Sequence, residues 1–146
     1  MRIAIMGAGG VGSYFGARLA GSGEDIIFIA RVAHLEALRE RGLSVKSPRG
    51  DLRLETVAAT EDPSTVGIVD IVLLTVKLYD LETACDLIAP MVSPETMIVP
   101  VQNGVSSIDI ISSKFDPGIV VGGLVFIASF VVSPGEVEHL TELHRL

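Results

Sequence analysis

The residues best suited to chemistry lie near the start of the chain, in the segment GAGGVG, where Gly7, Gly9 and Gly12 form a G-x-G-x-x-G pattern. An apolar segment, RIAIM, precedes this pattern directly, and a segment with helical features follows it. In that context the pattern is typical of a strand–turn–helix unit that holds a dinucleotide pyrophosphate. A glycine-rich turn that binds nothing is the alternative. We predict that the cofactor site includes Gly7, Ala8, Gly9, Gly10, Val11 and Gly12.

Each glycine of the pattern has a separate predicted task. Gly7 allows the tight turn, Gly9 lets the backbone approach a pyrophosphate, and Gly12 lets the helix pack closely on the strand. The free N–H groups and the dipole of that helix would then face the anion.

Arg31 follows the second predicted strand, IIFIA, and stands 24 residues beyond Gly7. NAD-specific folds usually carry an acid near this place, which hydrogen-bonds the ribose 2′-hydroxyl. Here the nearest acids, Glu24 and Asp25, precede the strand. An arginine could instead bind the 2′-phosphate of NADP through charge-assisted hydrogen bonds. The alternative is a solvated arginine at the start of the next helix.

Two further polar groups follow later predicted strands. Lys77 comes after DIVLLTV, and Asn103 comes after TMIVPV within the segment Gln102–Gly104. Open α/β sheets bind ligands beyond the carboxyl ends of their strands, so both residues are candidates for cofactor contacts. Lys77 could also be a solvated lysine at a helix start, and Asn103 could be a helix N-cap.

The order of the predicted elements indicates the fold class. Short apolar segments alternate with helix-length segments, which favours right-handed βαβ units in an α/β, Rossmann-type, doubly wound, mostly parallel sheet with helices on both faces. Helices are expected to end near Gly23, Gly42 and Pro90. Two strands with a turn at 48–51 are expected within 43–57, and further strands at 119–123, 125–132 and 136–140. No linker divides the 146 residues.

Composition excludes several classes of protein. The chain is 49% hydrophobic but only 5% aromatic, which suits a helix-covered parallel sheet. The net charge of −7 argues against nucleic acid or an anionic membrane as a partner. The longest apolar run is interrupted and shorter than the roughly 20 residues of a membrane helix. No signal peptide is recognisable and Cys85 is the single cysteine, so we expect a cytoplasmic protein.

The remaining reactive side chains receive structural interpretations. Cys85 falls in a predicted helix and is expected to be a core residue. His34, His139 and His144 have no metal-ligand spacing with one another or with Cys85, so no metal site is predicted.

Five segments together are similar to the N-terminal half of the ketopantoate reductases (2-dehydropantoate 2-reductases): MRIAIMGAGGVGSYFGARLA, IAR, VKLYDLETA, VQNGV and PGEVEH. Those enzymes reduce ketopantoate to pantoate with NADPH, on the route to pantothenate and coenzyme A. The resemblance implies that Arg31 and Lys77 together hold the 2′-phosphate of NADPH. It also implies that Asn103 lies near the nicotinamide ribose and the substrate, and that Ala128 lines the nicotinamide pocket.

The resemblance covers only part of the family's pattern. Family members continue into a helical C-terminal domain that supplies the catalytic lysine and the residues that hold ketopantoate, whereas this chain reads EHLTELHRL and stops. We therefore interpret residues 1–146 as an NADP-binding domain, assign no catalytic residue, and expect the chain alone to be inactive. The missing cover should expose apolar surface around 125–132, so we expect self-association, as in a homo-oligomer, or poor solubility.

The predicted function is the NADPH-binding part of a ketopantoate-reductase-like oxidoreductase acting on a small 2-oxo acid. Two alternatives stay open. One is a related NADP-dependent dehydrogenase of a different 2-oxo or 2-hydroxy acid, and the other is a non-catalytic NADP-binding module.

Overall fold

The protein's structure, a computed structural model, describes residues 1–104 and 106–146. In chain order its strands and helices are β1 (Arg2–Met6), α1 (Gly10–Gly21), β2 (Asp25–Ile29), α2 (Val32–Arg41), β3 (Leu43–Lys46), β4 (Leu52–Leu54), β5 (Ala58–Thr60), β6 (Ile71–Leu74), α3 (Leu81–Ile88), β7 (Met97–Pro100), α4 (Ser106–Ser112), β8 (Ser129–Ser133) and β9 (Glu136–His139). Short 3₁₀ turns lie at Pro63–Thr65, Leu78–Asp80, Ala89–Met91 and Pro117–Ile119.

Five strands form a parallel sheet in the order β5-β2-β1-β6-β7. The chain starts in the middle, winds to one edge through β2 and β5, and then winds to the other edge through β6 and β7. This is the predicted doubly wound, Rossmann-like arrangement. It brings the carboxyl ends of β1, β2, β6 and β7 to one side of the sheet, where such folds bind ligands.

The central strand β1 is buried on both faces, as expected for a parallel sheet covered by helices. Ile3 and Ile5 pack in the apolar cluster that includes residues of α1 and α2. Ala4 and Met6 point the other way, into the cluster that includes α3 and α4. The alternation of side chains along one strand therefore joins the two helical layers into one core.

A second sheet has the strand order β4-β3-β9-β8. Strands β3 and β4 form the predicted antiparallel pair, and β8 and β9 form another. The two hairpins join through a parallel pairing of β3 with β9, which connects residues more than 90 positions apart. This sheet was not predicted.

Helix α1 is buried between the two sheets, which explains its weak amphipathic pattern. Residues 12–17 are buried without interruption, rather than on one stripe as at the surface of a domain. Tyr14 is fully buried, while Leu19 and Ala20 pack only partly against the core.

The expected helix ends agree with the structure in two cases that depend on glycine. Gly42 follows the last residue of α2 with φ of +73°, and Gly23 lies two residues beyond α1 with φ of +96°. Pro100 closes the outer strand β7. The N–H groups of Met97, three residues before it, and Val101, one residue after it, donate to the carbonyls of Asp70 and Leu74. The nitrogen of Pro100, which lacks a hydrogen, therefore points away from β6.

One strand prediction was wrong and another was too long. Residues 119–123 form no strand, and the adjacent glycines Gly122 and Gly123 disfavour one. Gly123 instead passes close to the carbonyl oxygen of Pro100, where a β-carbon would overlap it. Only a single bridge, Ile98 to Val120, remains in this segment. In 125–132 the strand is confined to β8. Strand β5 was missed because it is a three-residue, partly exposed edge strand.

The apolar exposure expected around 125–132 is confirmed. Phe126, Phe130 and Val132 each expose about half of their surface, at 50%, 54% and 54%. No helix among the described residues has the length and apolar character needed to cross a bilayer.

Candidate dinucleotide-binding site

The glycine loop joins β1 to α1 with a backbone that requires glycine at Gly7. Its φ of +103° is rarely adopted by other residues, and a β-carbon there would lie 2.9 Å from the Val76 side chain. The carbonyl oxygen of Gly7 accepts hydrogen bonds from the Thr75 hydroxyl at 2.6 Å and from the N–H of Gly9 at 2.8 Å. The Thr75 hydroxyl thus anchors the loop to the end of β6.

Gly12 has the close packing that the sequence predicts. A β-carbon at this position would overlap the Gly7 carbonyl oxygen and the Thr75 hydroxyl, and would lie 2.9 Å from the Ile5 side chain. The first turn of α1 therefore packs against β1 more closely than a residue with a β-carbon would allow at this position.

Gly9 and Gly10 are adjacent but have opposite surroundings. Nothing lies within 4 Å of a β-carbon built at Gly9, so this position faces open space. A β-carbon at Gly10 would overlap the carbonyl group of Ser129, at the start of β8. Gly10 is therefore a packing requirement of the second sheet, a reason that the sequence did not reveal.

The N-terminus of α1 carries no group that competes with an anion. Its N-cap is Gly9, which has no capping side chain, and the first turn contains no acidic residue. The first N–H groups of any helix lack partners within the helix. Together with the open space beside Gly9, this arrangement fits a bound phosphate.

A cleft of about 330 Å³ lies beside the glycine loop, over the ends of β1, β2 and β6. Both predicted cations, Arg31 and Lys77, line it, although they come from different strand ends. Both are exposed, and neither forms an ion pair within the described part of the chain. Asp80 is the single acid among the lining residues. In a chain of net charge −7, this cleft is thus locally cationic.

Arg31 is also the N-cap of α2, as its alternative interpretation requires. The two interpretations are compatible, because its side chain makes no capping hydrogen bond and lines the cleft. The next residue, Val32, has φ of +49°, a conformation that is strained for a β-branched side chain.

His34 lines the same cleft and links three segments. Its Nδ1 accepts a hydrogen bond from the N–H of Gly135 at 3.2 Å, so Nδ1 carries no proton. Its Nε2 lies 3.4 Å from the hydroxyl of Ser13, which donates to the carbonyl of Ala8 at 2.9 Å. Burial lowers the pKa of His34 and favours this neutral form. The sequence analysis missed this connection between the glycine loop and the β8–β9 turn.

A second cleft, of about 600 Å³, continues from the first over the ends of β6 and β7. The two clefts share Thr75, Val76 and Lys77 as a common wall. The second cleft contains both of the other predicted site residues, Asn103 and Ala128. All predicted site residues therefore lie along one continuous groove, or at the glycine loop beside it.

Asn103 is exposed in this cleft, three residues ahead of α4, which begins at Ser106. Val105, the last residue of the VQNGV segment, lies outside the described residues, and so does a test of Asn103 as a helix N-cap. Ala128 is half-buried, and its carbonyl accepts from the N–H of Leu140 at 2.9 Å.

Two residues of the second cleft, Gln102 and Ser129, carry polar atoms that the sequence analysis did not assign. The side-chain amide of Gln102 donates to the carbonyls of Leu74 at 2.9 Å and Val76 at 3.0 Å. Its Oε1 atom and the Ser129 hydroxyl are both buried and have no hydrogen-bond partner within residues 1–104 and 106–146. The position of Gln102 at a strand end is a signal in the sequence, whereas nothing in the sequence marks Ser129.

The other lysines lie elsewhere. Lys114 pairs with Asp86 between α4 and α3, and Lys46 is exposed on β3. Among the residues described, no group of three or more His, Cys, Asp or Glu side chains is arranged to hold a metal ion.

Comparison with known proteins identifies the family. The family model described as ketopantoate reductase PanE/ApbA matches residues 3–145, nearly the whole chain. The chain belongs to the ketopantoate reductase family. The resemblance drawn from the glycine motif and the later strand ends is therefore confirmed.

Individual relatives agree with this assignment. The 2-dehydropantoate 2-reductase of Mesorhizobium japonicum is 33% identical over 161 residues, which cover 96% of this chain and 49% of that protein. The crystal structure of 2-dehydropantoate 2-reductase from Geobacter metallireducens GS-15 aligns with a TM-score of 0.92 and 38% identity, covering 97% of this chain and 46% of that one.

A ternary structure of D-mandelate dehydrogenase with NADH and anilino(oxo)acetate also aligns, with a TM-score of 0.85 and 26% identity, over 97% of this chain and 46% of that one. The ketopantoate reductase-like chain thus spans about half the length of the relatives it matches.

Proposed function

We propose that this chain is the NADPH-binding part of a ketopantoate-reductase-type oxidoreductase. The observation that supports this most strongly is the convergence of Arg31 and Lys77, from the ends of two different strands, on one cleft beside the glycine loop. A 2′-phosphate is the feature of NADPH that NADH lacks, and two cations without ion-pair partners among the described residues suit it.

The direction of the groove indicates where the other parts of the cofactor would bind. The pyrophosphate would bind at the N-terminus of α1, where the open space beside Gly9 admits it. The adenosine half would then occupy the first cleft. The nicotinamide half would extend into the second cleft, past Asn103 and Ala128.

In this scheme the residues of the chain bind the cofactor and orient it. When bound, the cofactor supplies a hydride for the keto carbon of a 2-oxo acid. The backbone N–H groups of α1 hold its phosphates, and Thr75 fixes the glycine loop through its bond to Gly7. Asn103, exposed at the mouth of the second cleft, is placed to contact both the nicotinamide ribose and the substrate.

The substrate we propose is ketopantoate, because the relatives named 2-dehydropantoate 2-reductase match along almost the entire chain. A second candidate is a dehydrogenase of another 2-oxo acid, which the similarity to D-mandelate dehydrogenase favours. That structure contains NADH, whereas the cationic first cleft here favours NADPH. The choice of cofactor therefore separates an NADPH-dependent reductase from an NADH-dependent dehydrogenase of that kind, and assays with ketopantoate and other 2-oxo acids identify the substrate.

The direct test is a titration of the protein with NADPH. The chain contains no Trp, so the nicotinamide fluorescence of NADPH can be followed without interference from tryptophan. We expect a saturable signal with one site per chain. Adenosine 2′,5′-bisphosphate, which carries the 2′-phosphate but no nicotinamide, should displace NADPH, whereas AMP should not.

Absence of a saturable signal would contradict the proposal. Equal displacement by AMP and by adenosine 2′,5′-bisphosphate would contradict the role of the cationic cleft in particular.

A further inference from the structure

Residues 141–146, which follow β9 and which we call the strap, contain one half-buried side chain, that of His144, and are otherwise exposed. Nδ1 of His144 lies 2.8 Å from the hydroxyl of Tyr14, and the two rings meet edge to face with 5.7 Å between their centroids. Tyr14 is fully buried and belongs to α1. This contact therefore joins an exposed segment to the helix between the two sheets.

The direction of this hydrogen bond follows from the burial of Tyr14. Within the described part of the chain, the Tyr14 hydroxyl has no hydrogen-bond partner except His144. A buried hydroxyl needs an acceptor for its proton. Nδ1 of His144 is therefore the acceptor, and the neutral ring carries its own hydrogen on Nε2. A second proton on the ring would occupy Nδ1 and leave the proton of the Tyr14 hydroxyl buried without an acceptor.

The groups around His144 also oppose a positive charge on its ring. Arg18 faces it from α1, Arg49 from the turn between β3 and β4, and His139 from β9. Within residues 1–104 and 106–146, Glu142 is the one acid that acts on His144, and it lies 3.7 Å from Arg49. Burial first, and then the three facing groups, lower the pKa of His144. The ring is therefore neutral while it contacts Tyr14.

The strap also holds the segment that forms one wall of the second cleft. Phe126 and Arg145 exchange two backbone hydrogen bonds, of 3.0 Å and 3.1 Å. The neighbours of Phe126, Val125 and Ile127, line the second cleft. Phe126 and Arg145 instead line a separate cavity of about 400 Å³. The strap therefore supports this wall from outside the cleft.

We propose that His144 is a positioning residue that holds the strap, and with it the wall of the second cleft, only while its ring is neutral. Protonation removes the acceptor of the Tyr14 hydroxyl and adds a charge near Arg18 and Arg49, so the strap is released. A released ring takes up a proton at the ordinary pKa of about 6.5, so the strap is held above about pH 6.5 and is increasingly released below it. The effect on a nicotinamide ring in the second cleft rests on the proposed function, whereas the strap itself does not.

Amide hydrogen exchange of Phe126 and Arg145, resolved by NMR and corrected for intrinsic rates, measures the strap without any ligand. Lowering the pH from about 7.5 to about 5.5 should reduce the protection of both amides by up to about tenfold, which is the most that one proton at a pKa of about 6.5 allows. His144→Asn keeps an acceptor for Tyr14 but does not titrate, so its protection should not depend on pH. His34→Gln is the matched control, because it removes a different histidine of lowered pKa, and it should keep the wild-type pH dependence.

The ring of His144 and its partner give two further readouts. The chain has three histidines, so the ring nitrogens of His144 can be assigned by NMR, and at neutral pH the hydrogen should be on Nε2. Tyr14→Phe should lower the protection at neutral pH toward the wild-type value in acid. A hydrogen on Nδ1, protection that does not change with pH in wild type, or wild-type pH dependence in His144→Asn would each overturn the proposal.

Ligand binding tests the effect on the second cleft. NADP⁺ and 2′-phospho-ADP-ribose share the 2′-phosphate, but only NADP⁺ carries the nicotinamide. The preference for NADP⁺ should fall at least about twofold between about pH 7.5 and about pH 5.5 in wild type and stay constant in His144→Asn. A constant preference in wild type would overturn the role of the strap in positioning the wall. If neither ligand binds, the proposed function fails, whereas the exchange measurements still decide whether His144 holds the strap.

Discussion

The two clefts of the groove differ in how completely this chain builds them. The first has a floor of three strand ends, a helix N-terminus, two cations and the neutral His34. The second is bounded partly by half-exposed apolar side chains such as Phe130, and Lys77 is the one lysine that lines it. The first cleft has the cations that an anionic ligand needs, whereas the walls of the second cleft are mostly apolar and suit a ring. We therefore expect this chain to bind NADPH but not to catalyse the reduction of a substrate.

The largest expected effect is the absence of turnover. With Lys77 assigned to the 2′-phosphate, the residues that line the second cleft leave no cation to position a 2-oxo acid or to stabilise a developing alkoxide. Each of these effects is worth several kcal/mol of barrier. We expect the chain alone to consume NADPH with ketopantoate far more slowly than about 1 per second, an ordinary enzyme value. The measurement is NADPH absorbance loss at high protein concentration. Turnover near that value would show that the second cleft is complete.

The glycine loop allows a matched test of binding against folding. Gly10→Ala should lower the free energy of unfolding by about 2 kcal/mol or more, because its methyl group overlaps the Ser129 carbonyl. Gly9→Ala should change stability by less than about 0.5 kcal/mol, because its methyl group meets open space.

NADPH should nevertheless stabilise Gly9→Ala much less than wild type, since the added methyl group occupies the approach to the pyrophosphate. Urea unfolding of both variants, with and without NADPH, measures these effects. A Gly9→Ala protein with wild-type stabilisation by NADPH would refute the placement of the phosphates.

Arg31→Ala sharpens the assignment of the first cleft. Loss of one charge-assisted contact at an exposed position should weaken NADPH binding about tenfold, while NADH binding changes by less than about twofold. Lys46→Ala is the matched control, because Lys46 is an exposed lysine on β3 that lines neither cleft. Calorimetric titration should show no change for this control. An equal loss for both variants would mean that only net charge matters.

Val32 offers a smaller effect at the edge of the first cleft. Its φ of +49° is strained, and the residue is 77% exposed, so little packing is lost on replacement. Val32→Asn should raise the free energy of unfolding by about 0.5–1 kcal/mol, since asparagine tolerates this conformation. Thermal unfolding measures the gain. A lower melting temperature would show that the valine is not strained in solution.

The smallest effect concerns pH. Burial lowers the pKa of His34, and mainly burial lowers that of His144. The unfolded chain therefore takes up protons first as the pH falls below about 6.5, and stability should decline between about pH 7 and 5. His34→Gln should make this decline shallower in urea unfolding at a series of pH values. An unchanged slope would show that His34 does not contribute.

Local signals account for what the sequence predicted correctly. The conformation of the glycine loop and the positions of Arg31 and Lys77 at strand ends follow from short patterns, since each depends on neighbours within one βα unit. The roles of these residues toward a cofactor stay predictions. The parallel sheet follows from the alternation of these units along the chain. The roles of Asn103 and Ala128 came from the family resemblance.

Long-range pairing accounts for what was missed. Strand β3 pairs with β9 across more than 90 residues, and no local pattern specifies that partner or register. That pairing places Ser129 against Gly10 and Gly135 against His34. The contacts that the second sheet makes with the site therefore could not be predicted from local sequence patterns.

The most direct test of the account is the affinity of the wild-type protein for NADPH and for NADH, measured side by side by calorimetry at one ionic strength. If Arg31 and Lys77 bind the 2′-phosphate, NADPH should bind at least about tenfold more tightly, and added salt should reduce that ratio. Equal affinities, or tighter binding of NADH, would contradict the assignment of the cationic cleft.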